Sequence, residues 1–245
     1  MEIPIEQVTP KTFQETARDR AFLARLGNEN GALRSLIMDC NRYPLRGAHQ
    51  SWIPPHWPAR IYESVQGSRA ESRMAGLIMG HWGFPNQAAF TFSEPSHRIC
   101  LMEPATLERL ALFTGVALRW ERFSKILERD RLRDLKAEIG EDAYLFAIQS
   151  APLLVGESPT QATELPDEEI AGCGTTVRRA GMAVVSACLA EAPRALRIRL
   201  ALRFHRDRAE EFLTDSPVFP HAMAWALVKR ILLQEVDPSW DHLLS

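Results

Sequence analysis

No run of eighteen apolar residues occurs anywhere in the sequence, so no membrane-spanning helix is predicted. The opening stretch, "MEIPIEQVTPKTFQETARDR", has neither a basic start nor an apolar core and does not read as a secretory signal. Charge of one sign is also lacking. The 29 Lys and Arg stand against 31 Asp and Glu, leaving a net charge of −2. No global field would draw in nucleic acid or an anionic membrane. Cysteine is scarce: Cys40, Cys100, Cys173 and Cys188 make no CxxC and no zinc-finger spacing with a histidine. They are expected as free buried thiols in a reducing compartment, and the protein as soluble and cytoplasmic.

Catalytic signatures are lacking as well. There is no GxSxG elbow for a nucleophilic serine. The lone GxG in "GCGTT" (172–176) is followed by Val177 and Arg178, with no lysine to reach a phosphate. Seven histidines stand singly, at 49, 56, 81, 97, 205, 221 and 242, with no HxH, HExxH or i, i+4 pair. No cofactor or metal is therefore expected. An enzyme stays open only if its site gathers distant residues, such as His49, His56, Glu141 or Asp142.

What is present is 46% hydrophobic and 24% charged sequence in 245 residues, enough for one large domain without disulfides. The expected fold is mainly α, a single helical domain over 1–245 with a minor β element. Residues 11–40 read as two short helices: Phe13, Ala17, Phe22 and Leu26 on the first, a break at "GNENG", then Leu33, Leu36 and Ile37. The segment "NRYPLRGAHQSWIPPHWP" (41–58), with four prolines and three aromatics, is predicted extended and packed. Its Tyr43, Trp52 and Trp57 would be costly to leave in water. Residues 63–98 show no sustained period and are expected to form a loop-rich insertion or a lid.

From Pro104 the pattern is helical. Leu107, Leu110, Thr114, Ala117 and Leu118 make one face, Phe123, Ile126 and Leu127 belong to a following helix, and Leu132, Leu135 and Ile139 repeat at three and four residues. Gly140 falls where a left-handed C-cap would sit. Glu141 and Asp142 then begin the next helix, where the macrodipole favours each acid by roughly 0.3–1 kcal/mol. Tyr144, Ala147 and Ile148 continue it with Leu145 and Phe146, and Pro152 is expected to stop it. After a polar loop at 156–169 comes a long helix from about 168 to 191, whose small residues allow another helix to pack close.

"RALRIRLALRF" (194–204) alternates apolar and polar residues over nine positions, which predicts a strand around 195–204. Arg197, Arg199 and Arg203 would project from one of its faces. Either that face is solvated and discourages edge pairing, or it meets an acidic partner or phosphate. No stacking aromatics accompany the arginines, which speaks against nucleic acid, although a helical regulatory or nucleic-acid-binding protein stays open. A last helix starts after Pro220 with Met223, Ala226, Leu227 and Ile231 inward, and "DPSWDHLLS" adds Trp240, Leu243 and Leu244.

Three stretches carry a resemblance. "CNRYPLRGAHQSWIPPHWP", through Cys40 to Pro44 and His49 to Pro54, the helices and joint of 107–156, and the order of long helix, "LRIRLALRF" and closing helix through "DPSWDHLLS" together resemble the SctK (YscK) family of type III secretion proteins. Residues 35–60 and 100–245 share in it. The resemblance implies a cytoplasmic component of the injectisome's sorting platform. Such a protein would act as an adaptor between the inner-membrane ring protein (SctD) and the pod-forming platform protein (SctQ). Pods connect through SctL to the secretion ATPase, and the association with the membrane's inner face is through partners. The family brings no catalytic residues. Arg197, Arg199, Arg203, Tyr43 and Trp52 are the resulting candidates for partner contacts.

Overall fold

In a computed structural model, residues 20–22, 24, 26, 31–58, 60–155, 172–213 and 219–245 are described. The expected helix over 11–26 lies largely outside them, as do the "GNENG" break apart from Gly31, the 156–169 loop and the start of the long helix before 172.

The long helix, here α9 (Cys173–Ala187), packs closely against α4 (Pro104–Ala117), and the small residues explain how. A Cβ on Gly115 would lie 1.8 Å from the Val177 carbonyl oxygen, and one on Gly181 would lie 1.7 Å from that of Ala111. Both distances are inside van der Waals contact, so only hydrogen fits and the two helix backbones touch. Gly174 repeats the device in the first turn of α9, where a Cβ would sit 2.6 Å from the Glu138 carbonyl. Of the GxG pair, Gly174 thus serves close packing, while Gly172, at φ 83°, faces open space. α4 starts at Pro104, which needs no amide partner in a first turn. It is buried on nearly every side, including Leu107, Leu110, Phe113, Thr114 and Val116, as expected of a helix apolar all round.

The other helices pack around this pair. α1 (Gly31–Arg42) buries Leu33, Ile37 and Cys40. α2 (Ile61–Val65) and α3 (Glu71–His81) follow the proline–aromatic segment. The 63–98 region therefore contains a helix of about three turns, and its Ala75, Ile78, Met79, Ala89 and Phe92 join the core. A 3-10 stretch, Pro95–Leu101, leads into α4 and is buried along most of its length. α5 (Trp120–Ser124) is a short turn that ends earlier than its apolar residues suggest, for Leu127 is 90% exposed.

α6 (Arg129–Ile139) and α7 (Glu141–Gln149) meet at Gly140, whose φ of 89° and ψ of 155° suit glycine alone. The break is where the sequence places it, although the residue is extended in ψ and not in the left-handed helical well. Glu141 and Asp142 occupy the first turn of α7. Pro152 does not end that helix. It sits in the first turn of α8 (Ala151–Val155), where proline's missing amide is harmless.

The predicted strand is corrected. Residues 194–201 form α10 (Arg194–Ala201), and the described residues contain no strand. The alternation misled because this helix is buried on several sides: Leu196, Ile198, Arg199, Leu200, Ala201 and Leu202 are all inside. A helix surrounded by protein does not show a 3.6-residue stripe. Composition pointed the right way, since Ile198 is the one β-branched residue in the run and Pro193 precedes its first turn.

α11 (Glu210–Leu213) is a single turn, and α12 (His221–Ile231) buries Ala224, Val228 and Ile231. Its inward face is rotated from the expected one, leaving Met223 41% exposed and Ala226 outside. A π turn (Leu232–Val236), a 3-10 turn (Pro238–Trp240) and α13 (Asp241–Leu244) bring Trp240, Leu243 and Leu244 back to the core. Buried Arg98 holds that return, donating from Nη1 to the Leu243 carbonyl at 2.6 Å. The buried hydrophobics from Leu26 to Leu244 form one cluster, and no described helix is long and apolar enough to cross a membrane.

The touching backbones make a sign prediction. Alanine in place of glycine inside a helix ordinarily gains about 1 kcal/mol. Here Gly115→Ala and Gly181→Ala are each expected to destabilise by about 3 kcal/mol or more, because two backbones must separate. Urea unfolding followed by circular dichroism reads the sign.

Candidate functional site

A helix end leaves carbonyls without intrahelical donors. At the C-terminus of α10 the proline–aromatic segment supplies them. The His49 N–H donates to the Leu202 carbonyl at 2.8 Å, and Trp52 Nε1 donates to that of Phe204 at 3.0 Å. In return the Arg206 N–H donates to Ser51 Oγ at 2.9 Å, and Arg203 Nη1 to the Arg46 carbonyl at 2.6 Å. Gly47, at φ 76°, permits that last approach, for a Cβ there would lie 2.0 Å from Arg203 Nη1. The arginine run and the aromatics, separate in the sequence, are thus one structural unit.

The five candidate residues divide on burial. Trp52 is 3% exposed, set edge-on to Trp82 and tilted against Phe84 with centroids 6.0 and 5.5 Å away, so it is core. Arg199 is 2% exposed and donates from Nη2 to the Gln87 carbonyl at 3.0 Å. Burial pushes its pKa down, and its hydrogen bond fixes the main chain at Gln87. Arg197 and Arg203 are partly buried. Tyr43 is half-buried, with the Arg46 guanidinium 3.7 Å and that of Arg42 5.2 Å from its ring centroid.

Around this joint lies a basic and aromatic surface that sequence reading assembled only in part. Arg206 sits 4.6 Å above the Trp82 ring. Two histidine pairs flank it, His49 with His205 at 5.0 Å and His56 with His81 at 5.4 Å. Burial and then the neighbouring His205 push the His49 pKa down. Arg42 and Arg46 bracket Tyr43 in the sequence, a signal that could have been read. His81, Trp82, His205 and Arg206 come from other elements, and only tertiary structure brings them here.

Under this surface is a buried carboxylate. Glu71, in the first turn of α3, is wholly inside. It accepts from Arg46 Nε at 3.2 Å and Nη2 at 3.1 Å, from the Tyr62 hydroxyl at 3.2 Å and from the Gly67 N–H at 2.7 Å. Burial alone would raise its pKa, but these donors, Arg46 foremost, outweigh it and hold the carboxyl below its ordinary value. The same arrangement pushes the Tyr62 hydroxyl up, by burial first and the Glu71 charge second.

Of the residues proposed for chemistry, His49 and His56 border this surface. Glu141 pairs with Lys136 at 3.0 Å beside the α6–α7 joint, while the carboxylate whose charge reaches His49 is Glu108. All four cysteines are buried and free, and burial pushes each thiol's pKa up, away from a nucleophilic thiolate. Among the described residues no three His, Cys, Asp or Glu side chains are placed to hold a metal. A cavity of about 170 Å³ lies between α8 and α12, lined by Leu154, Val155, Val184, Phe219, Met223 and Leu227. Its charged group, Arg230, is turned to the Leu154 carbonyl at 3.2 Å. Convergent polar groups, which a substrate pocket needs, are not among its lining.

Fold and surface together define a helical scaffold with a polar, aromatic face. The chain belongs to the YscK family, the Yop translocation protein K family, which matches residues 36–245. The solved cytoplasmic domain of the T3SS sorting platform protein PscK from P. aeruginosa is 22% identical. That match covers 81% of this chain and 93% of the other, with a TM-score of 0.49. No curated protein is similar enough to count as a match.

Replacing Glu71 by alanine removes the acceptor of a charge-assisted cluster. It is expected to cost about 2–3 kcal/mol, read as a lower melting temperature at pH 7. Because the folded carboxyl titrates below its unfolded value, its contribution is complete above about pH 4.3 and fades as pH falls through the folded value. The wild-type advantage over Glu71→Ala should therefore shrink on acidification below pH 4.

Proposed function

We propose that this protein is a cytoplasmic adaptor of the type III secretion sorting platform, linking the inner-membrane ring protein (SctD) to the pod protein (SctQ). Membership of the YscK family over residues 36–245 carries the reading. The surface supports it. Arg42, Arg46, Arg203 and Arg206 gather with Tyr43 and Trp82 on a face braced from beneath by Glu71. Guanidinium groups beside aromatic rings suit recognition of an acidic polypeptide surface, where charge sets orientation and rings supply contact area. Its association with the inner membrane's cytoplasmic face would then be through those partners.

Contact residues are best sought at exposed Arg42 and half-exposed Arg206, not at Arg199, whose reversal would leave a charge in the core. Size-exclusion chromatography with light scattering is expected to give a complex of defined mass with the ring protein's cytoplasmic domain or with the platform protein. The pair Arg42→Glu and Arg206→Glu should weaken one complex about tenfold or more, on the order of 1.4 kcal/mol, with no change in the melting curve. Monomeric elution beside both partners at tens of micromolar would contradict the reading.

A further inference from the structure

Residues 84–92, "FPNQAAFTF", run without helix or turn between α3 and the 3-10 stretch. Main-chain groups at alternate residues are held by side chains in place of a second strand. Arg199 Nη2 donates to the Gln87 carbonyl at 3.0 Å. Asn41 takes both groups of Ala89, accepting from its N–H at 2.6 Å and donating to its carbonyl at 2.7 Å. His97 Nδ1 bonds the Thr91 carbonyl at 2.5 Å. In an extended chain the N–H and C=O of one residue point to one side and those of the next to the other. Bonding at 87, 89 and 91 therefore turns the groups of 86, 88 and 90 outward.

Among the described residues nothing bonds the N–H or carbonyl of Asn86 or Ala88, or the N–H of Phe90, and all three residues are exposed. The Phe90 carbonyl turns back to accept from the Phe92 N–H at 3.0 Å, which ends the edge. Sheet proteins blunt such an edge with lysine, inward charge or a covering loop. This one carries no charge from 84 to 92, and proline stands only at its start, at Pro85. Exposed apolar side chains stand on it and on the two helices that touch it. Phe90 is 41% exposed, Met38 stands one turn before Asn41 at 54%, and Leu77 is next to Gly76 at 57%. A Cβ on Gly76 would lie 3.4 Å from Asn86 Nδ2, which places α3 beside this segment.

We propose that this edge receives an extended, uncharged segment of a partner polypeptide, added as a strand whose alternate apolar side chains meet Phe90, Met38 and Leu77. The proposal rests on the adaptor reading, since an adaptor needs a second contact apart from the basic face. One side of the segment is already fixed by Asn41, Arg199 and His97, so little backbone freedom is lost on binding.

The test is amide hydrogen exchange on the full chain, alone and with the ring protein's cytoplasmic domain or the platform protein. One partner should slow exchange at residues 86, 88 and 90 about tenfold or more. Ala88→Pro removes an N–H that no internal group uses and keeps Gln87 extended. It is expected to weaken that complex at least tenfold while the melting curve and binding of the other partner stay as in wild type. Ala88→Val, which keeps the N–H, should bind as wild type does. A complex that leaves 86–90 unprotected and tolerates Ala88→Pro overturns the edge while the adaptor reading stands. Failure of both partners to bind overturns both. Self-association abolished by Ala88→Pro would assign the edge to a second copy and overturn the proposal.

Discussion

Everything else is arranged around the contact of α4 and α9, whose backbones meet at Gly115 and Gly181 with no room for a side chain. Close packing at that depth fixes the two helices as one rigid body, because the interior on either side is already filled. α6 and α12 then pack against α9, and α8 and α12 against α4. The 3-10 stretch before α4 carries α10 and α13, so the helix that bears the arginines is placed by the segment leading into the central pair. A loss of one ångström between α4 and α9 would be passed to the whole arrangement.

The basic face is a by-product of how that scaffold is finished. Helix α10 ends with carbonyls to satisfy, and the proline–aromatic segment, unable to form a helix itself, satisfies them with His49 and Trp52. Docking there brings Tyr43, Arg42 and Arg46 beside Arg203 and Arg206, and it stations Trp82 under Arg206. Glu71 compensates the buried side of Arg46 and keeps its own charge through four hydrogen bonds. The basic surface is therefore built on a satisfied interior, where an unpaired carboxylate would cost far more than the pair returns.

Local chemistry was legible in the sequence wherever one residue type dictates one conformation. Pro104 opens α4, Gly140 divides α6 from α7, and the acids after it start a helix. The small residues of α9 told of a close helix partner, though not which one. Reading failed where burial erases periodicity. Residues 194–204 alternate like a strand because both sides of α10 face protein, and the inward face of α12 was misplaced by a residue because Met223 and Leu227 line a cavity instead of the core. Of the candidate site, Tyr43 and the arginines were visible, but exposure separated them. Trp52 and Arg199 are interior groups, and the surface is completed by His81, Trp82 and Arg206 from elements that no spacing rule connects.

An adaptor differs from a protein with two alternative partners in binding both at once. Native mass spectrometry of this chain mixed with the ring protein's cytoplasmic domain and the platform protein tests that distinction directly. The account predicts one species whose mass contains all three polypeptides. Two binary complexes that exclude each other, with no ternary species at any mixing ratio, would contradict it.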